Sequence, residues 1–190
     1  LRETLYDFTH LLNRLVGEKI DLSLSHDPHL SAISADKRQV EQVLMNLVVN
    51  ARGAMPRGGK IEIVTRNLLL EEPMKKDRAV VAPGRYVSAT VSDQGEGIPK
   101  DKLQKIFEPF YTTKRVGEGT GLGLSTAYGI IKQTGGFIFV DSELGLGTTF
   151  TLLLPAHDME VDKTPIRRTP KAISTEPAVG VVLLVEDEAP

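Results

Sequence analysis

The 190 residues are 41% hydrophobic and 25% charged, with a net charge of −2 and no cysteine. That is enough chain for one real core plus tails. The absence of cysteine excludes disulfides, thiolate zinc sites and cysteine nucleophiles, and the near-neutral charge argues against a nucleic-acid binder, which would carry a basic excess.

No apolar run is long enough to span a bilayer and no signal peptide opens the chain, so the expectation is a cytoplasmic domain without membrane contact of its own. A membrane anchor on a longer parent stays open.

In chain order, Leu5, Phe8, Leu11, Leu12 and Leu15 follow helical spacing, and Gly17 suits the stop. Residues 19–25 alternate as a half-buried strand does. Asp36 reads as the N-cap of a long helix whose apolar stripe is Val40, Val43, Leu44, Leu47, Val48, Ala51 and Met55. Pro56 and Gly58-Gly59 end it. Strands are predicted over 60–69 and 85–92, and the charged, proline-containing segment 71–84 between them reads as a surface loop.

Residues 99–106 predict a short helix, and 107–120, mixing aromatics, Thr, Lys and Gly, a mobile loop. A helix is expected from Gly121 to Gln133. Gly135-Gly136 then turn the chain into a strand over 137–142, and a Gly145/Gly147 turn leads into 148–154, completing a hairpin. From Ala156 to Pro177, Pro, Thr, Lys and Arg dominate and apolar periodicity vanishes, the signature of a linker. The final Val-Val-Leu-Leu-Val-Glu-Asp-Glu run reads as a buried strand ending in acids.

Three features carry chemistry. Asn46 and Asn50 lie four apart, so they share a helix face, which Gln42 extends. A neutral amide oxygen suits magnesium when phosphates supply the remaining ligands and charge; two solvent-facing amides would look the same. Asp93 ends an apolar strand and enters Asp-Gln-Gly-Glu-Gly-Ile. Its carboxylate can accept from an exocyclic amine such as adenine N6, with Gly95 and Gly97 letting the backbone approach a flat base. An ordinary Asp-x-Gly turn has the same pattern.

The strongest element is Gly117-Glu-Gly-Thr-Gly-Leu-Gly-Leu124, a glycine turn opening a helix whose N-terminus favours phosphate. It is neither a P-loop, lacking Gly-Lys-Ser/Thr, nor a dinucleotide fingerprint. Just upstream, Phe107, Phe110 and Tyr111 precede Thr112-Thr113-Lys114. That run fits a lid with Lys114 reaching a terminal phosphate, and equally a core-packed turn with a solvated lysine. Ser25-His26-Asp27 mimics a phospho-accepting box, but Pro28 follows and would stop the helix such a box needs.

Together and in order, these motifs resemble the catalytic, ATP-binding domain of bacterial sensor histidine kinases, in the GHKL superfamily. Residues 36–51 are similar to the N box, 93–98 to the G1 box, 107–114 to the F box and 117–125 to the G2 box; Gly147-Thr-Thr-Phe150 and Leu154-Pro155 resemble the closing strand. The resemblance implies an α+β, two-layer sandwich, the Bergerat fold, with a mixed β-sheet packed on helices and a mobile ATP lid.

It implies that Asn50 holds Mg2+, Asn46 lies beside the phosphates, Asp93 takes the adenine amine with Thr148 supporting it, and Gly119, Gly121 and Gly123 wrap the phosphates. The matched boxes add Gly95, Gly97, Ile98, Phe107, Tyr111, Lys114, Thr120, Leu122 and Leu124 to the ATP site, with Asn46 and Lys114 nearest the transfer. Hydrolysing relatives carry a glutamate base where Asn46 stands, and an amide cannot take a proton from water. One departure is Gly53, where a polar residue is common.

The implied organisation is a catalytic domain over 1–155, a linker over 156–178 and the start of a receiver domain over 179–190, with Glu186 and Asp187 as its acids. The phospho-accepting dimerisation hairpin is expected ahead of residue 1. Partners would be that helical domain, the receiver, and a downstream phosphotransfer protein or response regulator.

A narrower resemblance links residues 128–138 to cell-cycle hybrid kinases of the CckA type, which bind cyclic di-GMP. It implies guanine stacking by Tyr128 and Phe137, a phosphate contact from Lys132, and Ile138 alongside; aromatics packing on each other would read the same. Three functions therefore stand: phosphotransfer from Mg-ATP to histidine, ATP hydrolysis, and cyclic di-GMP sensing.

Overall fold

The computed structural model describes residues 11–77, 79–113 and 119–157. Leu5, Phe8, Lys114, Gly117, the expected linker beyond residue 157 and the receiver segment lie outside them.

Helix α1 covers residues 11–16 and β1 covers Ile20–His26, followed by a two-residue β2, Ala32–Ile33. Helix α2, Lys37–Gly53, starts where expected: Asp36 Oδ1 accepts from the backbone N–H of Arg38 at 2.8 Å and of Gln39 at 3.1 Å. Those bonds satisfy donors that a helix N-terminus leaves orphaned. The whole predicted stripe, Val40 to Ala51, is buried, and Met55 is buried just past the helix end.

Strands β3, Gly59–Leu70, and β6, Gly84–Asp93, flank a small hairpin of β4, Met74–Lys76, and β5, Ala79–Val81. Helix α3 spans Gly123–Gln133, β7 Phe137–Glu143 and β8 Gly147–His157. The main sheet runs β1-β3-β6-β8-β2, with β7 also paired to β8. β1 and β3 are parallel, and every other pairing is antiparallel. The parallel pair needs a long crossover, which α2 provides. This is the mixed sheet and α+β sandwich that the motifs imply.

Strand alternation sorts the sheet's residues onto two faces. Ile61, Ile63, Ala89, Val91, Phe150 and Leu152 meet Val43, Leu47, Ala127 and Ile131 of α2 and α3 in the main core. On the opposite face Tyr86, Phe139 and Leu153 pack with Val81 of the β4–β5 hairpin. Lys76 pins that hairpin, its Nζ 2.5 Å from Asp141 Oδ2 and 5.6 Å from the Phe139 ring centre.

Three local expectations are corrected. Segment 71–84 is not a plain loop: its hairpin carries Val81 wholly into the second core. Residues 100–107 form successive turns rather than a helix, with Lys102 N–H donating to Pro99 O and Lys105 N–H to Lys102 O, each at 2.9 Å. Helix α3 begins at Gly123, two residues later than expected, because Gly121 sits at φ +66°, outside helical geometry. No helix among the described residues is long and apolar enough to cross a membrane.

Candidate nucleotide-binding site

The carboxyl end of β6 carries Asp93 into the core edge, where it is only 9% exposed. Its Oδ1 accepts the backbone N–H of Gly95 at 2.8 Å and of Thr148 at 3.3 Å. Burial pushes the Asp93 carboxyl above its ordinary value; the two backbone bonds oppose that rise without cancelling it. Both bonds go to one oxygen, so Oδ2 keeps its accepting capacity for a ligand.

The loop after Asp93 is clamped from both sides. Glu96 N–H donates to Ala54 O at the end of α2 at 3.1 Å, and Gly145 N–H from the β7–β8 turn donates to Glu96 O at 2.8 Å. Ser142 Oγ donates to Gly147 O, accepts Ile98 N–H at 2.8 Å and bonds Thr148 Oγ1 at 2.9 Å. Gly97, at φ +72°, lies so close to the hairpin that a Cβ there would fall 2.1 Å from Glu143 O. Only glycine fits both the backbone conformation and the space.

A cleft of about 640 Å³ opens over this loop. One wall is α2, through Asn46, Val49, Asn50 and Gly53; another is the segment from Gly119 into α3; Pro99, Lys102, Ile106 and Tyr111 line a third. Asn46 and Gly123 face each other, a Cβ on Gly123 falling 3.7 Å from Asn46 Oδ1. Phe110 N–H donates to Gly121 O at 3.0 Å, tying the aromatic segment to the glycine turn.

Of the residues expected at the site, Asn46, Asn50, Asp93, Gly97, Ile98, Tyr111, Gly119, Thr120, Gly121, Gly123, Leu124 and Thr148 line this one cleft. Gly95 does not; it backs onto Ala54 and serves through its bond to Asp93. Phe107 is turned toward the core instead, its ring 5.3 Å from Tyr128 and 6.4 Å from Phe150. Leu122 precedes α3 with its side chain partly exposed. Lys114 is outside the described residues.

Sequence reasoning missed Lys102, Ile106, Leu144 and Phe150 as cleft residues. For Phe150 a signal existed, since it shares the parity of buried Leu152 and Leu154 on β8.

Of the second expected cluster, Tyr128, Lys132 and Phe137 come together and Ile138 does not. Lys132 Nζ sits 5.4 Å from the Tyr128 ring centre and 4.9 Å from that of Phe137. Ile138 has the opposite strand parity to Phe137 and is buried in the main core.

A buried carboxylate at a strand end, facing two helical amides across a glycine-turn cleft on this sandwich, defines a GHKL-type ATP-binding domain. Residues 35–158 match the model of the "Histidine kinase-, DNA gyrase B-, and HSP90-like ATPase" family, and the chain belongs to that family.

The chain is 49% identical over 193 residues to Sensor kinase CckA of Brucella abortus (strain 2308), a match covering 99% of this chain and 20% of the relative. It is 38% identical over 141 residues to Sensor histidine kinase ZraS of Escherichia coli (strain K12), covering 74% of this chain and 27% of that one. Among solved structures it is similar to the catalytic domain of histidine kinase ThkA, with a TM-score of 0.58, 32% identity, and coverage of 82% of this chain and 89% of the other. The chain thus carries the catalytic domain of the sensor histidine kinase type, and spans a fifth to about a quarter of these two curated relatives' lengths.

Proposed function

We propose that the cleft binds Mg-ATP and that, in the whole protein, the γ-phosphate passes to a histidine on a separate helical dimerisation domain. The observation that carries this reading is the Asp93 carboxylate, held by two backbone donors on Oδ1 with Oδ2 left for the purine amine. Asn50 and Asn46 stand on the α2 wall of the same cleft.

No group of three or more His, Asp or Glu side chains converges among the described residues. The fit is therefore to a cation that phosphates help to hold, with Asn50 as its protein ligand. When bound, magnesium would neutralise charge developing on the phosphates. Asn46 would sit beside them, and Gly119, Gly121 and Gly123 would offer backbone N–H groups. The imidazole of the acceptor domain is itself the nucleophile, so this chain's contribution is positioning and charge neutralisation. A receiver domain and a downstream phosphotransfer protein or response regulator would take the phosphate onward.

Calorimetry of ATP with and without magnesium tests the site. Asp93→Ala should lose adenine recognition and Asn50→Ala the magnesium dependence; unchanged affinity in both overturns the assignment. Labelled phosphate should appear on an added phospho-acceptor domain rather than as free phosphate. Steady hydrolysis by the chain alone, abolished by Asn46→Ala, would favour the ATPase reading instead.

A second reading rests on the Lys132 cluster. Its two rings flank one ammonium on the protein's surface, a composition suited to guanine stacking and phosphate contact, so cyclic di-GMP is a candidate regulator. Titration with cyclic di-GMP tests it, and silence in both wild type and Tyr128→Ala removes it.

A further inference from the structure

The described cleft residues are short of positive charge. The α2 wall is neutral, through Asn46, Val49, Asn50 and Gly53, and the ionisable acids lining the cleft are Asp93 and Glu96. A nucleotide polyphosphate adds several further negative charges. Among the described residues a single cationic side chain lines the cleft, that of Lys102.

Hydrogen bonds and a buried neighbour fix its backbone. Lys102 N–H donates to Pro99 O and its own carbonyl accepts from Lys105 N–H, both at 2.9 Å. Upstream, Ile98 N–H is bonded to Ser142 Oγ at 2.8 Å; downstream, Ile106 is buried in the main core. Those anchors hold the Lys102 backbone at the cleft wall. The side chain is half-buried, and the ion pairs of the described residues, Lys60–Glu62 and Lys76–Asp141, do not involve it.

A lysine stem buries its methylenes readily, but its ammonium needs an anion or water. We propose that Lys102 is a specificity-determining residue whose ammonium binds the phosphate chain of the nucleotide, so that it selects phosphorylated adenosine over the bare nucleoside. This rests on the Mg-ATP reading of the same cleft. A charge-assisted contact at a partly solvated position is worth about tenfold in affinity.

The test is calorimetric titration of the 190-residue chain with ATP, ADP and adenosine. Lys102→Ala should weaken ATP and ADP roughly tenfold, leave adenosine unchanged and keep the wild-type melting temperature, and Lys102→Arg should restore most of the loss. Equal weakening of adenosine, or unaltered ATP and ADP affinities, overturns the assignment to phosphate. If wild type binds adenosine and ATP alike while Asp93→Asn loses both, Lys102 is refuted and the purine site stands. If wild type binds none of the three, the nucleotide reading itself falls.

Discussion

Asp93 and Thr148 are register partners across β6 and β8, and Thr148 closes the pair by donating its backbone N–H to Asp93 Oδ1 at 3.3 Å. The carboxylate is therefore oriented by the sheet itself. Asn at this position keeps an oxygen for the Thr148 and Gly95 donors but places an NH2 group where Oδ2 stood. Asp93→Asn should fold with a melting temperature equal to or above wild type, because a buried charge is gone. ATP affinity should fall about 10- to 100-fold, the scale of a hydrogen bond to a charged group plus an unmatched donor. Calorimetry paired with thermal melts separates the two effects.

The pH dependence has an unusual sign for a carboxylate. Burial holds the folded Asp93 value above its unfolded one, so ionising this group costs folding stability. The cost is fully present at pH above the folded value and disappears as pH falls below the unfolded one. Between the two, the folded state binds more protons, and stability rises as pH drops. ATP affinity should do the opposite, weakening as the acceptor carboxylate is protonated. Urea denaturation and ATP titration across the acid range should give opposed slopes for Asp93 that vanish in Asp93→Asn.

Gly97 tests the clamp around the same loop. Ala there must hold φ +72° and put its Cβ against Glu143 O, while the preceding Glu96 is already bonded to Ala54 and Gly145 and the following Ile98 to Ser142 Oγ. Gly97→Ala should cost roughly 2 kcal/mol or more through backbone strain and overlap. Chemical denaturation measures it, and a change under half that size would show that the hairpin yields easily.

Much of this was legible because the sequence signals and tertiary demands coincide. Asp36 capped a stripe that needed no other context, and Val40 to Ala51 are buried as their period requires. The glycines of the 93–98 turn and the 135–147 hairpin likewise mark positions that chain geometry enforces. The β4–β5 hairpin was hidden because its strands are three residues each and flanked by prolines, β4 is mostly Lys, and the core contact of Val81 is non-local. Residues 100–107 misled because Lys, Leu and Gln favour helix while Ile106 alone is buried, giving no stripe to pack. Phe107 lay in the right motif yet faces Tyr128 and Phe150, since neighbouring residues of a turn diverge in ways no spacing rule fixes. Lys102 carried no periodic signal at all; only the fold places it on the cleft wall.

Phe110 and Gly121 offer a contrast with Gly97. Both have left-handed backbones, at φ +67° and +66°, and Phe110 N–H donates to Gly121 O at 3.0 Å. A Cβ on Gly121 would fall 2.4 Å from the Phe110 carbonyl carbon, so Gly121→Ala should force the two segments apart. Phe110 is 74% exposed, so little core is lost when they separate. The melting temperature should move far less than in Gly97→Ala, whereas ATP affinity should fall at least about tenfold as the glycine turn loses its place on the cleft. Phe110→Gly relieves a left-handed aromatic worth about 1 kcal/mol of strain and should be neutral to stabilising despite deleting a large apolar side chain. If Gly121→Ala unfolds the chain as readily as Gly97→Ala, the glycine turn is part of the core's cooperative unit rather than a separately adjustable wall of the site.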